Sequence, residues 1–317
     1  MSQLTRITLP NGAIVNDGQN FVGAGALFTT GSVLYVCSVN GSDGNSGLDP
    51  AAPLATIQQA NTNAQANKGW KVIVMPGHAE TVTATSHTLS KAGVSYICLG
   101  SGLDRPTFTY GAAAATITVS GANVAFIGGH FIANFLNVAA AFTVAAAKDF
   151  QVLNNTFVDT SSILNFLSIV VTGATNNAAD GLTFSQNYVY GLAATDGAVV
   201  SVLGNLLRLQ ITENIVDKAA TNDAGHMLTM SSKVCGGVRI LRNNLTVVGS
   251  AGAAVGVFMT GSSTTSSGLC AFNTCNSLDT TAALFSTTGT KISFQENYMS
   301  GAVDASGTLF PAADNPA

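Results

Sequence analysis

The side chains able to act together chemically are few, and nearly all are carboxylates or imidazoles in turn-like stretches. Asp196 and Asp223 each stand nine residues after an asparagine, Asn187 and Asn214, and these two asparagines hold equivalent places in a repeat. If the repeat stacks in phase, the two carboxyls lie ~5 Å apart, one strand spacing. That is the separation of a retaining glycosidase pair. His226 lies three residues beyond Asp223, and Asp180 lies in the preceding turn. The same residues also read as turn formers: TDG and NDAG are common turn sequences, in which Asp bonds its own backbone. An insertion between coils would break the phase.

Two further groups have ligand-like spacing. NGSDGNSGLD (Asn40–Asp49) alternates oxygen donors as calcium loops do. It lacks the closing Glu, and a turn followed by a helix cap accounts for it. His78 and Glu80, after Met75-Pro76-Gly77, are a lone pair at a strand end, too few for a metal. The five cysteines (Cys37, Cys98, Cys235, Cys270, Cys275) are odd in number and lack zinc spacing, which predicts reduced core thiols. The expectation is therefore no metal and no cofactor.

The elements that position these residues come from a repeat. FQVLNNTFV, LTFSQNYVY, LQITENIVD, VRILRNNLT, GLCAFNTCN and ISFQENYMS align on Asn155, Asn187, Asn214, Asn243, Asn273 and Asn297. An earlier copy, VAFIGGHFI, has Gly129 there, and successive separations are 26, 32, 27, 29, 30 and 24 residues. Five before, three before and two after the asparagine, every residue is apolar except Gly268. Offsets −5 and −3 are one strand alternating inward and outward, the asparagine turns the chain, and offset +2 lies on the next strand. A period of this size reads as a solenoid in which like stacks on like. The asparagines then form a ladder passing amide hydrogen bonds from coil to coil. Apolar stretches such as ATITVSG, AAFTVAA, LSIVVTG and AVVSVLG supply a third side. Parallel strands joined by crossovers take the right-handed sense.

The first third reads differently. LATIQQANTNAQAN, between Pro53 and Gly69, predicts a helix over about 54–67 that caps the open end of the stack. Phe126, Phe131, Phe150, Phe157, Phe184 and Phe294 fall in stacking columns and belong to the core, and no row of exposed aromatics for a sugar groove is evident. Trp70 packs where the helix ends. Residues 1–30, rich in Gly and Asn with scattered apolar side chains, are an arm too apolar to stay solvated, and ITLPNGAIV in it could pair along a neighbour's edge.

Composition excludes several classes. Of 317 residues only 9% are charged, with a net charge of −4, so no basic footprint for nucleic acid exists. Apolar content of 47% excludes disorder. The most apolar run, Val138–Ala147, is far shorter than the ~18 residues of a spanning helix, so no membrane partner is expected. The surface must be built from Ser, Thr, Asn, Gln and Gly. No basic region followed by an apolar one opens the chain, so no export signal is expected and synthesis is placed in a host cytoplasm.

The segment YVCSVNGSDGNSGLDPAAPLATIQQA, followed by VIVMPGHAETV, resembles the opening motif of right-handed parallel β-helices of the pectate-lyase-like superfamily. The resemblance covers roughly Val33 to the C-terminus. The LGSGLDRPTFTY turn, the AAFTV-AAKDF coil and the LPNGAIVNDG lead look more closely like tailed-bacteriophage virion β-helix proteins. Lyases of the superfamily hold calcium on several Asp and abstract a proton with Arg or Lys; its hydrolases use three Asp, a following His and Arg-x-Lys. With 13 Asp, 3 Glu, no Asp-Asp pair and no Arg-x-Lys, this chain carries neither set.

The expected architecture is all-β: a single right-handed parallel β-helix over 31–317, with regular coils over about 115–310 and an arm over 1–30. The resemblance, the short lead and the close ending of the chain after its last coil imply a bacteriophage virion structural protein. Capsid decoration is its expected role, as a homotrimer on the major capsid protein in the virion. The alternative is a tailspike-like protein that binds or cleaves host surface polysaccharide.

Overall fold

The computed structural model describes residues 6–8, 14–16, 31–84, 87–193, 195–219, 227–230, 232–247, 259–260, 265–277, 285–286, 291–301 and 304–310. They form a right-handed parallel β-helix with three long sheets of 11, 10 and 8 strands. The first sheet runs from Val33–Val36 to Lys291–Gln295, the second from Ala79–Val82 to Asp304–Phe310, and the third from His87–Leu89 to Phe285–Ser286. All ladders within these sheets are parallel save the last of the second, where Asp304–Phe310 turns back antiparallel on Asn297–Gly301.

The repeat register is realised residue for residue. Phe126 pairs with Val152, Val152 with Phe184, Phe184 with Ile211 and Ile211 with Ile240. Across the bend, Phe131 pairs with Phe157, Phe157 with Val189 and Val189 with Val216. Phe126, Phe131, Phe150, Phe157 and Phe184 are fully buried, and Phe294 packs against the same core half-buried. Phe108, Phe131 and Phe157 stack with centroids 5.3 and 4.9 Å apart.

The asparagine ladder runs unbroken. Asn155, Asn187, Asn214, Asn243, Asn273 and Asn297 are all buried. Asn187 Oδ1 accepts from the Asn155 backbone N–H at 2.9 Å and from its Nδ2 at 3.2 Å, while Asn187 Nδ2 donates to Val152 O at 2.9 Å. The pattern repeats down to Asn297, so each side-chain amide satisfies one backbone N–H and one backbone C=O of the preceding coil. At the upper end Gly129 N–H donates to Asn155 Oδ1 at 2.8 Å. Gly129 lacks a side chain because a Cβ there would lie 2.9–3.0 Å from the Phe131 and Phe126 rings, which fill the place an asparagine would need.

Gly268, the exception in the apolar columns, also has a steric cause. Its φ is +152°, and a Cβ would lie 2.6 Å from Val238 N, where the sheet register shifts between Gly236 and Val238.

The residue before each ladder position is left-handed: Asn154, Gln186, Glu213, Arg242, Phe272 and Glu296 have φ between +47° and +60°. Such a conformation costs ~1–2 kcal/mol for a non-glycine residue, and the ladder bonds on either side hold it.

The capping helix, α1, is Ile57–Asn63, shorter than the span the sequence suggests. Thr56 caps it, accepting from Gln59 N–H at 3.1 Å, and it buries Ile57, Ala60 and Asn61. It ends early because Ala64, though buried, is already extended. Trp70 packs half-buried against the core. In the N-terminal segment Arg6–Thr8 pairs antiparallel with Ile14–Asn16, so these strands pair with each other. Among the described residues no helix is long and apolar enough to cross a membrane.

Candidate functional site

The carboxylates converge at one corner, beyond the end of the second sheet. Asp159 and Lys218 end the strands Thr156–Asp159 and Ile215–Lys218 and point inward, in register with Ala133 and Gly191 of the coils that precede them. Asp196 comes from the turn that follows Tyr188–Gly191 and folds back into the same space. All three are buried, with exposures of 4% (Asp159), 1% (Asp196) and 4% (Lys218).

Asp159 accepts two backbone bonds, from Phe166 N–H at 3.0 Å and Leu192 N–H at 2.9 Å. Asn165 Nδ2 donates to Asp196 Oδ1 at 3.0 Å. The Lys218 ammonium donates to Gly197 O. Asp196 Oδ2 is buried without a hydrogen-bond partner, and the Asp159 carboxyl is its close neighbour. Burial and the neighbouring Asp196 charge raise Asp159 to about 7. Burial likewise raises Asp196 and lowers Lys218, the two charges partly offsetting each effect. The corner therefore holds an acid pair and an amine, all three buried.

A second buried group lies at the capped end. Glu80 Oε2 accepts from His78 Nε2 at 3.0 Å and from Ile57 N–H at 3.1 Å, and its Oε1 accepts from His87 Nε2 at 2.7 Å. Burial alone would raise Glu80; the two histidine bonds, the charge of His87 and the Ile57 bond outweigh it and hold the carboxyl at about 2. His78 Nδ1 accepts from Ser38 N–H at 3.0 Å, which fixes its tautomer. The group ties the first strands to the start of α1. His87, the third member, lies seven residues beyond Glu80 and carries no sequence signal linking it to that pair.

The remaining sequence candidates separate. Asp180 accepts from Leu207 N–H at 2.9 Å and pairs with Lys148 at 3.7 Å, sharing no partner with Asp196. Asp223 and His226 lie outside the described residues. Asp196 instead joins Asp159 of the preceding coil, a partner the offset count missed because Asp159 ends a strand four residues after Asn155 while Asp196 lies in a turn nine residues after Asn187. Asp43 of the oxygen-rich loop accepts from Ala55 N–H, Thr56 N–H and Thr56 Oγ1 at 2.9–3.0 Å, which makes the loop a helix cap. Cys37, Cys98, Cys235, Cys270 and Cys275 are all free and buried, and burial lifts the thiols of Cys235 and Cys275 to about 12. Among the described residues no three His, Cys, Asp or Glu side chains form a metal-holding group.

Two surface features complete the picture. On the third sheet Thr88, Thr118, Thr143, Val171, Ser201 and Thr229 pair in register, one per coil, half-buried and uncharged. On the second sheet Tyr188 and Tyr190 are exposed, their rings 6.4 Å apart and 14° from parallel. Burial and the Asp217 carboxylate raise the pKa of the Tyr188 hydroxyl. They are a pair on one strand, which the sequence reading did not single out. The signal was the alternation in Tyr-Val-Tyr: with Val189 in an inward column, both tyrosines must face out.

No family model matches the chain, and no curated protein matches it. Among solved structures, a chain named rhamnogalacturonan lyase superposes with a TM-score of 0.53 at 14% identity, covering 78% of this chain and 69% of its own. That likeness shows the parallel β-helix fold alone.

Proposed function

We propose that the protein is a structural component of a bacteriophage particle, a capsid decoration protein that assembles as a homotrimer on the major capsid protein. The observation that carries this reading is the uncharged stripe of Thr88, Thr118, Thr143, Val171, Ser201 and Thr229. Packing such a face against a sister subunit desolvates hydroxyls and methyls, with no ion to strip of water. The strongly perturbed carboxyls, Asp159, Asp196 and Glu80, support it from the other side. All lie inside the solenoid or under its cap, where no polymer chain reaches them. Sedimentation of the purified protein tests the assembly: a trimer is expected, reduced to monomer by Thr118→Lys with Thr143→Lys. A monomer at every concentration would remove the basis of the reading.

A second reading, binding of a host surface polysaccharide, is favoured by Tyr188 and Tyr190. Two exposed rings in nearly parallel planes present apolar faces of the kind that pack against sugar rings, and Asp217 beside them accepts hydrogen bonds. Retention on immobilised host polysaccharide, lost in Tyr188→Ala with Tyr190→Ala, would favour this reading over the first.

A further inference from the structure

We propose that the buried corner is a self-modification site, in which the Lys218 side-chain amine and the Asp196 side-chain carboxyl condense into an amide that bonds one coil covalently to the next. The proposal is independent of the particle assignment.

The geometry supplies each part. The two side chains converge over Gly191, the residue in register with Lys218. A Cβ at Gly191 would overlap Asp196 Oδ2 and lie 3.2 Å from Lys218 Cγ, so the missing side chain leaves room for both. The Lys218 ammonium sits on the carbonyl of Gly197, the residue directly after Asp196. Reaction requires Nζ to leave that carbonyl and swing back along the stem to Asp196 Cγ. Asp159, anchored by Phe166 and Leu192 N–H, is the neighbouring carboxyl, which burial shifts toward the protonated form.

The chemistry balances without a co-reactant. One ammonium proton of Lys218 passes to Asp196 Oδ2, leaving both groups neutral, and Nζ then attacks Cγ and forms the N–C bond. The Cγ–Oδ2 bond breaks, Asp159 gives its proton to the departing oxygen, and Asp159 takes back a proton from nitrogen. One water leaves, and Asp159 ends as it began. Burial favours both starting forms, since it lowers Lys218 and raises Asp196. It also favours the product, because an uncharged amide replaces two groups that are costly to keep charged out of water.

The intact mass of the purified, denatured full chain tests this, with its N-terminus fixed by peptide mapping. The expected mass is lighter than the sequence by one water, with a branched peptide joining the segments that hold Lys218 and Asp196. The Lys218→Met chain should show no loss. Asp159→Ala keeps both reacting groups and should show linkage slowed at least tenfold. A wild-type chain at full mass overturns the proposal, even where the variants fail to fold. So does a water loss that persists in Lys218→Met, which would mark a succinimide at Asp196-Gly197. Linkage in Asp159→Ala at the wild-type rate would overturn the part assigned to Asp159.

Discussion

The Asp196 carboxylate occupies the space that a side chain at Gly191 would need. One glycine in an inward column thus lets a turn residue reach the interior, where it meets Asp159 from the coil before and Lys218 from the coil after. Gly191→Ala should destabilise the protein by about 1–3 kcal/mol, the usual cost of overpacking. Urea unfolding of both chains measures it. An unchanged midpoint would mean that Asp196 leaves the corner without loss.

The ladder carries a second expectation. Asn214 Oδ1 accepts from the Asn187 backbone and side chain at 2.9 and 3.1 Å, and its Nδ2 donates to Phe184 O and Asn243 Oδ1. Asn214→Leu has nearly the same volume but strands those groups, at about 1–3 kcal/mol each. Thermal melting should show a large drop, while Asn214→Asp should fall between the two.

Much of this was legible in the sequence, and the residues show why. The columns around Asn155 to Asn297 were readable because parallel in-register stacking places like on like, so architecture appears as period. The corner was not. Asp159 ends a strand four residues after Asn155, Asp196 lies in a turn nine residues after Asn187, and their contact depends on where that turn folds back. His87 joins Glu80 through three dimensions alone. The left-handed Arg242 and Phe272 were equally hidden, since neither residue type favours that conformation.

Acid should act through Glu80. Its folded pKa of about 2 lies below the ordinary 4.5, so its contribution is present above pH 4.5 and lost as pH falls toward 2. Wild-type stability should decline across that window. Glu80→Gln should be less stable at neutral pH and flatter from pH 4.5 to 2. Parallel slopes for the two chains would show that the histidine bonds contribute nothing.

Residues 1–28 should be dispensable for folding and needed for attachment. A chain lacking them should keep the wild-type melting transition yet fail to load onto particles. Loading at the wild-type copy number would place the docking surface on the solenoid itself.

The most direct test of the structural reading is the composition of purified particles. Quantitative mass spectrometry should find this chain at a fixed copy number, a multiple of three per capsid lattice unit. The same preparation of free protein should release no reducing ends from host polysaccharide. Absence from particles, together with reducing-end release that Asp196→Asn abolishes, would contradict the account.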